Sequence, residues 1–171
     1  MFDFEELTDE VRSAMLQEFE AEENGGEPYR STLLTEEGIE AFPVAMRKAI
    51  ASGNEEALKD ELSQPEYWER FNFESDARRL AVTEFNTWYV RGLSRRLLDE
   101  GLETCEIYRA ADAQGPSSGE CPLYEGALLS LQEVYDGHRA RYWPWPGDPD
   151  ALSVPAHPNC LYTIRRCQDS N

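Results

Sequence analysis

The chain reads as an α+β fold, and three observations carry that reading. Apolar residues recur at helical spacing near the N-terminus, at Phe4, Leu7, Val11, Met15 and Phe19, with acids on the other faces. A second stripe of the same period runs through Val82, Phe85, Tyr89, Leu93 and Leu97. Two short runs, 104–110 and 161–167, are instead rich in β-branched and aromatic residues and suit strands. The order predicts an acidic helical region over residues 1–76, followed by a small mixed α/β domain over residues 77–171.

Taken in order, residues 4–23 predict a helix with Asp3 as its N-cap, closed by the acidic, glycine-containing stretch Glu20 to Gly26. Residues 24–34 read as a linker. Thr35 caps the next helix, through Ile39 and Phe42. Pro43 is expected to restart it, because a mid-helix proline removes a backbone hydrogen bond. Gly53 ends that helix, and Asn54 caps a short one through Leu58 and Leu62. After the Gln64-Pro65 break, Tyr67, Trp68, Phe71 and Phe73 form an aromatic cluster expected to pack in the core. Ser75 or Asp76 starts the longest helix, which runs to about Glu100, with Gly101 as its C-cap. Thr104 to Ala110 is a strand and Asp112 to Gly119 a turn-rich loop. Leu123 to Val134 fits helix or strand, and Asp136-Gly137-His138 a turn. Arg139 to Pro149 holds Tyr142, Trp143 and Trp145 among three prolines. That loop is too apolar for a free linker and should pack on the domain or on a partner.

The charge excludes several function classes. The chain carries 34 acids against 16 bases, net −18. Residues 1–76 hold 21 acids and 6 bases, and residues 77–171 hold 13 acids and 10 bases. Such a surface repels bare phosphate, so direct DNA binding is not expected. Only Lys48 and Lys59 are lysines. Acid-rich, lysine-poor composition suits a high-salt cytoplasm and a halophilic host, although an ordinary acidic protein from a GC-rich genome would share it. No apolar run is long enough for a membrane span. The acidic N-terminus lacks the layout of a signal peptide, so synthesis is expected in the host cytoplasm.

The richest stretch chemically is Val154-Pro155-Ala156-His157-Pro158-Asn159-Cys160, directly before the strand at 161–167. Pro155 and Pro158 bar a helix and hold His157 and Cys160 on a rigid turn. Upstream lies Cys121-Pro122, then Gly126. These positions, with Ala81, Thr83, Glu84, Tyr89 and Gly92 on the long helix, resemble the C-terminal pattern of the phage head morphogenesis family, the Mu F-like minor head proteins. The resemblance covers residues 78–167. Tyr124 and Tyr162 stand where that pattern has further cysteines, and Val82 where its helix has arginine.

The resemblance implies a fold similar to ADP-ribosyltransferases and a structural role. The chain would be a minor capsid protein of a tailed virus, inside the capsid or at the portal vertex, with the portal and major capsid proteins as partners. Transferase chemistry would want an arginine on an early strand and a Glu-x-Glu loop. Arg109 is a partial match to the first, and residues 77–171 contain no Glu-x-Glu. No phosphate-binding loop, nucleophile elbow or His-Glu-x-x-His helix occurs either, so no catalysis is expected. The cysteines leave three readings open. Cys121, His157 and Cys160 supply three zinc ligands, with Cys105, Cys167 or His138 as a fourth. If strand 104–110 pairs antiparallel with strand 161–167, Cys105 and Cys167 are expected to fall opposite each other, near enough for a disulfide. The third reading is four buried free thiols. In each reading Cys121, His157 and Cys160 are expected to converge. His138 reads as a surface turn residue, and Glu84 as the partner of Arg79, Arg91 or Arg95. The partner surfaces are expected to be the stripe Phe4, Leu7, Val11, Met15 and Phe19, and the loop bearing Trp143 and Trp145.

Overall fold

The computed structural model describes residues 2–110, 125–158 and 160–167. Its elements are α1 (Asp9–Asn24), α2 (Glu36–Ser52), α3 (Glu55–Leu62), a 3₁₀ turn (Pro65–Tyr67), α4 (Glu74–Asp99), β1 (Thr104–Arg109), β2 (Leu128–Ser130), α5 (Leu131–Gly137) and β3 (Tyr162–Arg166). The strands form one antiparallel sheet in the order β2-β1-β3. The fold is α+β.

Side chains start the helices where expected at Thr35 and Asn54, which accept from the Gly38 and Ala57 amides at 3.2 and 3.0 Å. The first helix differs. Thr8 accepts from the Val11 amide at 3.3 Å and starts α1 well after Asp3. α2 runs unbroken through Pro43. Its buried Phe42, Met46 and Ile50 hold a helix that the missing amide alone would weaken by about 3 kcal/mol. Having no base in its last turn, α2 borrows one: Arg12 donates to the Ile50 and Gly53 carbonyls at 2.7 and 2.9 Å. Of the aromatic cluster, Trp68 is buried and Tyr67 and Phe73 pack on the core, but Phe71 is fully exposed.

α4 is the axis. α1, α3 and α5 pack on it, and one hydrophobic cluster extends from Val11 to Ile164, across the expected boundary at residue 76. Gly92 sets the closest approach. A Cβ there would lie 2.5 Å from Met15 Cγ and 2.7 Å from the Met15 amide nitrogen, so only glycine lets α1 seat.

Residues 2–7 form a strap between α4 and the sheet. Phe2 is buried, and the Phe4 ring packs on Phe85 and Tyr89 at centroid distances of 5.3 and 4.6 Å. The Tyr108 hydroxyl donates to the Asp3 carbonyl at 2.6 Å, and the Glu6 amide donates to the Tyr89 hydroxyl at 3.3 Å. These contacts correct one expectation. Val11, Met15 and Phe19 are buried, and Phe4 and Leu7 pack against the same core. The stripe is covered by the chain's own α4 and sheet, so it is not a bare surface awaiting a partner.

In the sheet, Ile107 faces Ile164, and Glu106 faces Arg165 with an ion pair at 2.7 Å. Two side chains meet outward-facing backbone groups of β3: Asn86 donates to the Tyr162 carbonyl at 2.8 Å, and the Arg166 amide donates to Glu6. Among the described residues no helix is long and apolar enough to cross a membrane.

Candidate functional site

The helix residues that carry the family resemblance all face inward. Ala81, Thr83, Glu84, Tyr89 and Gly92 are buried. Glu84 accepts both terminal nitrogens of Arg139 at 2.8 and 2.7 Å, with the two side chains only 1% and 3% exposed. Its partner is therefore not Arg79, Arg91 or Arg95. Arg79 pairs with Asp76, while Arg91 and Arg95 both pair with Glu18. The Arg139 guanidinium is flanked by the Tyr29 and Trp88 rings, 4.7 and 5.2 Å from their centroids. Glu22 approaches its Nε at 3.5 Å and meets His138 Nε2 at 3.2 Å. His138 is therefore mostly covered, its ring tilted against Trp88 at 5.0 Å, and not a free surface turn residue.

The electrostatics follow from burial and pairing. Burial alone would lower the Arg139 pKa, but Glu84, together with Tyr142 and Glu22, outweighs it and raises the pKa. Burial pushes His138 down to about 4, against its bond to Glu22. Glu22 would rise with burial, but the His138 hydrogen bond and the Arg139 charge hold it at about 2. A second network joins α1, α4 and α5. Glu18 accepts from Arg91 at 2.8 Å, Arg95 at 2.7 Å and the Tyr135 hydroxyl at 3.0 Å. Glu18 and Glu22 are four residues apart on α1, so they share a face. That spacing is legible in sequence; their partners, on α4, on α5 and in the two residues after it, are not.

The proline turn is built as its residues suggest. The Cys160 amide donates to the His157 carbonyl at 3.1 Å, and the Ala110 amide to the Leu161 carbonyl at 3.1 Å, so the turn delivers the chain directly into β3. Cys160 is buried, and His157 Nδ1 lies 2.9 Å from the Pro158 carbonyl, which makes Nδ1 the protonated nitrogen. Cys121, and with it the expected convergence, lies outside the described residues. Two proposed fourth ligands are excluded by position. Cys105 and Cys167 sit at the other end of the β1–β3 ladder: Arg166, opposite Cys105, and Cys167 itself lie about six and seven residues past Cys160, about 20 Å or more at the rise of a strand. His138 is engaged by Glu22. Among the described residues no three His, Cys, Asp or Glu side chains group to hold a metal, against the four that zinc takes.

The disulfide also fails on register. Arg166 stands opposite Cys105, while Cys167 reaches the Thr104 hydroxyl at 3.4 Å. A one-residue offset puts neighbouring side chains on opposite faces, and both thiols are free. Burial, and then the nearby Cys167, push the Cys105 thiol up to about 12. Arg109 ends β1 opposite Tyr162, whose hydroxyl donates to Glu125 at 3.1 Å.

The aromatic loop divides its tryptophans. Trp143 packs edge-on against Tyr29 at 5.7 Å, whereas Trp145 is 84% exposed. A surface cleft of 240 Å³ between α1, α4 and Arg166 is charged, but its arginines are taken: Arg96 and Arg166 both pair with Glu100, at 3.1 and 2.5 Å.

No family model, curated protein or solved structure matches the chain. Its functional reading therefore rests on its own residues and on the pattern they resemble.

Proposed function

We propose that the chain is a structural minor head protein of a tailed virus, held inside the capsid or at the portal vertex and acting in head morphogenesis or genome packaging and delivery. One observation carries the reading. The residues that resemble the family pattern are spent on joining elements: Glu84 on Arg139, Gly92 on α1, and Cys160 on the turn into β3. Residues used in this way serve a scaffold, and a scaffold suits a protein whose work is to be assembled. The net charge of −18 fits a protein packed beside DNA without being captured by it.

Mass spectrometry of purified particles tests this. The chain is expected in a fixed ratio to the portal protein, and particles made without it should be fewer or less infectious. Normal, infectious particles lacking the chain would overturn the reading. So would NAD turnover by the purified protein that Arg109→Ala abolishes. Stoichiometric zinc whose removal unfolds the C-terminal half would favour a zinc-knuckle adaptor.

A further inference from the structure

We propose that Trp145 is the anchor by which this chain docks on its protein partner, entering an apolar socket rimmed by arginine or lysine. This rests on the minor-head reading, and the partner it commits to is the portal protein.

The geometry makes Trp145 a presented side chain. Its loop is rooted in the interior by Arg139, 2% exposed and bound to Glu84 through both terminal nitrogens. The Tyr142 and Trp143 amides donate back to the Arg139 carbonyl at 2.9 and 2.8 Å, and the Asp148 amide closes the neck on the Ala140 carbonyl at 2.8 Å. At the tip the Gly147 amide donates to the Pro144 carbonyl at 2.8 Å. Gly147 has φ +77°, and a Cβ there would lie 2.4 Å from the Arg141 carbonyl oxygen, so the turn requires glycine. Pro144 and Pro146 fix φ on both sides of the tryptophan. The neighbouring Tyr142 and Trp143 turn inward onto Tyr29, and Trp145 alone of the three projects. A large amphipathic ring on a loop that is already ordered loses little freedom on binding, and tryptophan leads among residues that dominate interfaces.

Charge selects the occupant. Asp148 and Asp150 are exposed on the same loop beside a single exposed base, Arg141, on a molecule of net −18. A basic rim around the socket complements this, whereas an anionic bilayer or a nucleic acid is repelled.

The experiment measures binding of the purified full chain to the purified portal ring by titration calorimetry. Trp145→Ala should weaken binding by at least about 30-fold, the hot-spot scale, and leave the circular dichroism and melting curve unchanged. Asp148→Asn with Asp150→Asn should weaken it a few-fold and flatten its salt dependence. Wild-type affinity in Trp145→Ala overturns the anchor and leaves the minor-head reading standing. If the wild-type chain fails to bind the portal and is missing from particles, reading and anchor fall together. Trp145-dependent binding to anionic phospholipid vesicles or to single-stranded DNA would overturn the protein socket.

Discussion

Arg139 and Glu84 illustrate what a buried ion pair does to a fold. Both charges leave water, and their mutual attraction mainly offsets that cost. The pair adds little net stability, but breaking it leaves one charge stranded. Arg139→Ala should therefore lower the unfolding free energy by about 3–5 kcal/mol in urea titrations. A loss below about 1 kcal/mol would mean that water reaches Glu84. His138 and Glu22 give the fold an acid limb. His138 titrates at about 4 when folded against 6.5 when free, so below pH 6.5 the unfolded chain takes a proton that the folded chain refuses. Stability should fall as pH drops from 6.5 towards 4, by on the order of 3 kcal/mol. Glu22 is depressed from 4.5 to about 2, so its contribution is whole above 4.5 and lost as pH falls towards 2. The two share one hydrogen bond, so their contributions do not add. His138→Gln should erase the limb between pH 6.5 and 4 in urea midpoints taken across that range; an unchanged limb assigns it elsewhere.

At the level of elements, α1 and α4 behave as one unit. Gly92→Ala would set a methyl against the Met15 backbone, which a rotamer change cannot relieve. Helix propensity favours alanine by about 1 kcal/mol, but a backbone clash in a packed core costs about 1–3 kcal/mol or more. The clash should win, and thermal melting should show Gly92→Ala less stable. Deleting residues 1–24 removes the strap and α1 together, and uncovers Phe85, Trp88 and Tyr89 on α4. The shortened chain should lose cooperative unfolding and bind a hydrophobic dye. A sharp, native-like transition in residues 25–171 would show the remaining core to be self-sufficient.

For the whole molecule, net charge and local pairs pull in opposite directions with salt. Ion pairs such as Arg47–Glu20 and Lys48–Glu61 are exposed, and each is worth about 0–1 kcal/mol that salt erodes. Against them stands the self-repulsion of a net charge of −18, which salt relieves as the Debye length shrinks from about 10 Å at 0.1 M to about 3 Å at 1 M. Excess acids outnumber the exposed pairs, so repulsion should dominate. The melting temperature should climb between about 0.1 M and about 2 M KCl. A falling melting temperature would give the pairs precedence and remove the support for a high-salt host.

The sequence by itself determined the α+β class, the caps at Thr35 and Asn54, the span of α4 to within about two residues, the strands β1 and β3, and the rigid turn before β3. Each follows from a local signal, a period or a proline or a cap, acting over a few residues. Tertiary structure decided which apolar faces remain bare. The stripe on α1 looks the same whether a partner or α4 covers it; Met15 seated at Gly92 and Phe19 on Trp88 settle that it is α4. It also decided that Glu84 belongs to Arg139, 55 residues away, and that Cys105 faces Arg166 instead of Cys167. Pairings over such separations depend on loop closure and on a register whose slip by one residue reverses every side chain, and neither is written in local spacing. The two tryptophans of the aromatic loop look alike in sequence. Tyr29, brought up by the segment before α2, draws Trp143 inward and leaves Trp145 in water.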